Sequence, residues 1–227
     1  AGNVPRYGWE YTIDLLPVLW RTFALGLHED PWRRLADPEP GSEVGYWESE
    51  RFDPQDFKPM QPNSAFANMT HRDAYWAAKI VSAFGDDHLA AAVRAAEYRD
   101  PAEEAYVIRI LRERRDAIAR AYFDKIPPLD FFVVSGEDLC FRDLGVERGI
   151  YPASGTRYRA RVRGVDAGRQ GPEWPPWQEL PLPRIAMEAQ DPPFWAVEVQ
   201  VDHGDGWSRT TRVYVSQARG EVIALER

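Results

Sequence analysis

The run "KIPPLDFF", residues 125–132, divides the chain into two halves that follow different rules. Upstream of it, apolar residues recur every three or four positions, the period of a helix with one buried stripe. Downstream they recur every second position, the period of a strand with one buried face. Neither Pro127 nor Pro128 can donate a backbone hydrogen bond, so a helix arriving from upstream stops there.

In the upstream half, Ile13, Leu16, Leu19, Trp20, Phe23 and Leu27 keep helical spacing. Pro17 is tolerable only near a helix start, so a helix is expected from Leu15 to Gly26. Residues 28–67 are rich in Pro, Asp, Glu and aromatics and read as an extended wrapping segment. Its pegs would be Trp32, Tyr46, Trp47, Phe52, Phe57 and Phe66. Three helices should follow. Thr70 caps the first, with Asp73 placed to reach back to free amides, and its buried face is read as Tyr75, Ala78, Ile80, Val81 and Phe84. Asp86 or Asp87 caps the second. Asp100 caps the third, with Pro101 in its first turn and Val107, Ile110, Leu111, Ile118 and Tyr122 on its stripe. "RILRERRDAIAR" alternates sign and reads as a salt-bridged face. Arg114 and Asp116 are two residues apart and cannot pair along it, so some of these cations should reach other segments.

In the downstream half, "FFVVSGEDLCFRDL" reads as two strands around a Ser-Gly-Glu-Asp turn, with Cys140 a buried small hydrophobe. "TRYRARVRGVD" sets Tyr158, Ala160 and Val162 opposite a row of arginines. "GPEWPPWQELPLP" reads as a loop. Trp195, Val197, Val199 and Val201 share one face of the clearest hairpin. Gly204-Asp205-Gly206 turns it, and Thr211, Val213 and Val215 return. With "EVIALER" this makes a sandwich of roughly seven strands.

Chemistry is scarce. His28, His71, His88 and His203 show no metal-ligand spacing and read as surface or capping residues. Asp202 and Asp205 of "DHGDG" are a weak calcium candidate against the plainer reading of a hairpin tip. Phosphate-cradling and nucleophile-elbow motifs do not occur. No catalytic residue and no cofactor is assigned. A net charge of −8 disfavours a nucleic-acid surface. The longest apolar stretch, "IDLLPVLWRTFALGL", is too short and too interrupted to span a bilayer. Tryptophan is abundant. If Trp174, Trp177, Trp195 and Trp207 were exposed together, their rings could stack on sugars; if buried, they are core and loop pegs.

Several passages resemble the C-terminal region of an uncharacterised family of large bacterial proteins. They are "GWEYTIDLLPVL", the stretch from "ESERFDPQDF" to "KIPPLDFF", and the closing "VIALER". The most specific pieces are Phe52-Asp53-Pro54, the run Asp73 to Lys79 and Arg114-Arg115-Asp116. Longer members of that family carry an upstream kinase-like lobe with a nucleotide-positioning lysine and a metal-binding motif. Neither occurs in this chain, so the resemblance transfers no catalytic position. It implies that these residues are the downstream portion of a longer polypeptide.

The expected protein is α+β. A helical region, residues 1–130, packs on an antiparallel β-sandwich, residues 131–227. The expected role is non-catalytic: an accessory, partner-binding or scaffolding region of a larger bacterial protein or assembly. Its partner would be another protein or an upstream domain of the same polypeptide. One alternative is a part of a kinase-like enzyme whose catalytic residues lie upstream; the other is a carbohydrate-binding sandwich. The expected setting is soluble and bacterial, with export as one option and the compartment left open.

Overall fold

The computed structural model describes residues 15–25, 27, 44, 48–50, 52–56, 63–166, 173–187 and 193–227. The chain divides into two compact units, residues 1–73 with 80–121 and residues 74–79 with 122–227. All the described helices but one short turn precede the strands, the segregation of an α+β chain.

The first unit is helical. Its elements are α1 (Leu15–Phe23), α2 (Ser64–Ala67), the ends of α3 (His71–Val81), α4 (Asp86–Arg94) and most of α5 (Pro101–Phe123). Thr70 and Asp73 start α3 as a reciprocal cap. The Thr70 amide and hydroxyl both donate to Asp73 Oδ2, at 2.9 and 2.6 Å, and the Asp73 amide returns to Thr70 Oγ1 at 3.3 Å. Asp100 caps α5 by accepting from the Ala102 amide. Gly85, rather than Asp86 or Asp87, occupies the cap position of α4, where the His88 ring accepts from the Gly85 amide. Asp86 is drawn aside by Arg112 and Arg115 of α5. Ala90, Val93, Val107 and Ile108 form the core of this unit.

The expected reach of the α5 arginines is present. Arg114 donates to the Glu48 carbonyl with its guanidinium over the Phe52 ring, and Arg115 reaches the Phe84 carbonyl. Arg109 instead pairs with Glu113 one turn on. Of the wrapping segment's pegs, Trp32, Tyr46, Trp47 and Phe57 lie outside the described residues, as does His28. Phe66 is half exposed on α2. The buried face expected for α3 needs correction. Ala74, Tyr75 and Ala78 are buried, but Ile80 and Phe84 are 45% and 52% exposed. With Trp76 they fall at intervals of four, a stripe one helix face away from Tyr75. Helix α1 ends three residues earlier than expected, and Leu16, Leu19, Trp20 and Phe23 are all exposed on it. No described helix is long and apolar enough to cross a membrane.

The second unit contains a sandwich of two antiparallel sheets. Three strands form one: β1 (Leu129–Ser135), β2 (Asp138–Asp143) and β5 (Arg184–Ala186), in the order β1-β2-β5. Five form the other: β3 (Arg157–Val165), β4 (Gln178–Leu180), β6 (Phe194–Asp202), β7 (Thr211–Ser216) and β8 (Glu221–Glu226), in the order β4-β3-β6-β7-β8. Leu129, Leu139, Phe141 and Ile185 of the first sheet meet Ala160, Trp195, Val197, Val199, Val201, Val213 and Val215 of the second in one core. Two of these strands differ from the sequence expectation: β4 lies inside the expected loop, and β5 falls between that loop and the hairpin, where no element is expected. β4 and β5 are three residues each and lie among prolines, too short to display a period. A one-turn helix, α6 (Leu144–Glu147), was also missed. Cys140 is half-buried rather than core, because it faces away from Leu139 and Phe141 on β2.

Candidate functional site

The outer face of the five-stranded sheet carries the densest chemistry among the described residues. Strand alternation puts Arg157, Arg159, Arg161 and Arg163 on that face of β3. Opposite them on β6 stand Asp202, Gln200, Glu198 and Ala196. Each arginine but the last therefore meets an acceptor across the strand. Arg157 donates to Asp202 at 2.5 Å, Arg159 to Gln200 at 2.8 and 2.6 Å, and Arg161 to Glu198 at 2.7 Å. Arg212 of β7 takes the other oxygen of Glu198 at 2.6 Å. Glu198 is 3% exposed and Asp202 4%, so both carboxylates are charged groups taken out of water and fully paired.

Three tryptophans interleave with this row. Trp207 lies 5.2 Å from the Arg157 guanidinium and 4.2 Å from that of Arg159. Trp177 lies 4.8 Å from Arg159 and 4.5 Å from Arg161; Trp174 lies 4.9 Å from Arg161 and 4.2 Å from Arg163. The geometry has a simple cause. Residues two apart on a strand stand about 6.8 Å apart. Each ring lies beside such a gap, within cation–π range of the guanidinium on either side. The result is a ladder of alternating arginine and indole. The rings come from the loop before β4 and from the turn after β6, where Trp207 bridges to Asp202.

The ladder locates the tryptophans singled out in the sequence. Trp174, Trp177 and Trp207 come together on one half-exposed face, each ring in contact with guanidiniums. Trp195 points the other way and is 8% exposed in the core. For the calcium candidate, both Asp202 oxygens are in use. Oδ1 accepts the amides of Gly204 and Gly206, and Oδ2 accepts Arg157. The Arg157 bond, then the two amides, hold the Asp202 carboxyl below the usual carboxylate range. Asp205 sits exposed at the tip. No group of three or more metal-ligating side chains occurs among the described residues.

Two further polar clusters lie in this unit. Asp143, 4% exposed, caps α6 through the amides of Gly145 and Val146 and accepts the Tyr158 hydroxyl at 3.1 Å. Its Oδ2 also meets His203 Nε2 at 2.8 Å. The His203 ring stacks flat on Tyr151, 4.0 Å between centroids, and Tyr151 donates to Asp124. Gly145 permits this stack: a Cβ there would lie 2.5 Å from the Tyr151 ring. His203 is thus a half-buried bracket rather than the surface or capping residue expected. The second cluster surrounds Asp130. Burial opposes its charge, but Lys79 and Arg227 outweigh that and hold its pKa low. Next to it Phe131 adopts a left-handed φ of 52°, unusual for an aromatic residue. The Lys79 and Arg142 cations stand over its ring.

What sequence reading missed is the interleaving. The signal was present: four arginines at alternate positions, followed by two tryptophans three residues apart. The loop fold that threads rings between cations is not local and has no period of its own. Compared with protein-family models, curated proteins and solved structures, the chain matches none at a significant level.

Proposed function

We propose that this chain is a non-catalytic, partner-binding region of a larger bacterial protein or assembly, and that the ladder face is the surface it offers. One observation carries the reading: arginine and tryptophan are packed side by side and half exposed on one sheet face. These two residue types dominate the energetics of protein interfaces. A surface whose rotamers are already fixed loses little entropy when it is covered.

The same pairing argues against other ligands. Arg157, Arg161 and Arg212 are committed to Asp202 and Glu198, so the face lacks the free cation row that a phosphate backbone requires. Each indole already packs against two guanidiniums, which leaves less ring surface for a sugar and ranks the carbohydrate reading second. The kinase-like reading assigns no position of this chain.

Site-specific photo-cross-linking tests the proposal. A cross-linker at Gln200, on the ladder, should trap a discrete protein in the source cell. The same group at Glu137, in the β1–β2 turn, should not. Equal trapping from both positions, or none from either, overturns the surface assignment. Saturable binding of magnesium–ATP by residues 1–227 overturns the non-catalytic assignment.

A further inference from the structure

The sandwich is open on one side. Where β4 and β5 stop, a cleft of about 480 Å³ enters between the two sheets. That is within the range of sites that hold a small ligand or a few side chains. Its apolar wall is Val162, Leu180, Ile185 and Trp195. Arg184 also lines it, 60% exposed, with a single loose carboxylate contact at 3.5 Å to Asp138.

Two features set what fits. Among the described residues β4 pairs with β3 alone and β5 with β2 alone, so each stands at the edge of its sheet, and residues of both strands line the cleft. Pro176 and Pro181 bracket β4 and keep the chain from continuing the strand over the opening. Arg161 lines the cleft while standing in the ladder, so cleft and ladder are one continuous surface.

Resting on the partner-binding reading, we propose that the cleft receives an extended segment of the partner protein. The segment adds as a strand to the free edge of β4 and drops one apolar side chain between the sheets. An acidic neighbour of that side chain pairs with Arg184. Pairing with three-residue β4 gives only a few backbone hydrogen bonds, so the apolar side chain seated in the cleft supplies most of the affinity. The argument for an acidic, apolar segment is complementarity: an apolar floor with an exposed, weakly held guanidinium beside it.

The test uses a fluorescently labelled peptide, Thr-Val-Glu-Phe-Glu-Val-Thr, and measures anisotropy with the whole chain. Binding should weaken about tenfold when the central Phe of the peptide becomes Ala, the order expected for losing a buried aromatic side chain. Ala186→Trp, at an exposed position lining the cleft, should block binding without unfolding the sandwich. Arg184→Glu should weaken the Glu peptide and strengthen one carrying Lys in place of Glu. The inference is overturned if Phe→Ala in the peptide is without effect, if Ala186→Trp binds as wild type while remaining folded, or if the peptide does not bind at all. None of these outcomes touches the cross-linking result at Gln200, which decides the broader reading separately.

Discussion

The two faces of β6 bury to a similar depth by opposite means. Val197, Val199 and Val201 on the inner face are at most 1% exposed, packed by hydrocarbon. Glu198 and Asp202 on the outer face are 3% and 4% exposed, packed by guanidinium and indole. A strand covered on both sides usually reads as a continuous apolar run. Here it reads as an alternating one, because charge can be covered when each carboxylate meets its counter-ion and each counter-ion meets a ring. The inner face can be satisfied by any side chain of the right volume. The outer face needs particular residues in particular places, because each carboxylate must meet a cation across the strand.

Four experiments sharpen that contrast. The largest effect is expected at the inner face. Val197→Asp puts an unpaired charge into hydrocarbon and should cost at least about 4 kcal/mol, seen as loss of the cooperative urea transition. Glu198→Ala comes next. It strands Arg161 and leaves Arg212 only its pair with Glu226, and the expected loss is about 3 kcal/mol, at the low end for buried pairs because both arginines are partly wet. Acid titration should separate the faces further. Asp202 titrates below its unfolded value, so its contribution is complete above about pH 4 and disappears as pH falls through the lowered folded value. Asp130 follows the same sign. Urea midpoints should therefore be flat near neutrality and fall in acid, and Asp202→Asn should flatten that fall. The smallest effect is Trp177→Leu. It removes one rung and should cost about 1 kcal/mol by chemical denaturation while leaving Arg161–Glu198 in place. A Trp177→Leu loss equal to that of Glu198→Ala would mean the rings, rather than the ion pairs, hold the face.

Much of the architecture was legible because its signals are local. Thr70 and Asp73 announce a cap within four residues, and the alternating valines of β6 with Gly204 and Gly206 announce a hairpin. Gly136 in the β1–β2 turn adopts a φ of 64°, the conformation that a Ser-Gly-Glu-Asp turn suggests. The readings that failed were those a distant segment decides. Ile80 and Phe84 keep helical spacing yet face outward, and periodicity cannot say which of two apolar stripes a protein buries. β4 and β5 exist because neighbouring strands offer edges, and three residues carry no pattern. The candidate site was legible in its parts, the alternating arginines and clustered tryptophans. Their order was not, since it is set by a loop folding back over a strand.

The prolines beside β4 also bear on aggregation. A sheet edge left open invites identical copies to pair along it and continue into a fibril. Between Pro176 and Pro181 the edge is interrupted at both ends, so a strand laid against it gains few rungs and a second copy cannot lengthen the sheet register by register. The prolines thus limit any pairing along this edge to a short strand and resist runaway polymerisation.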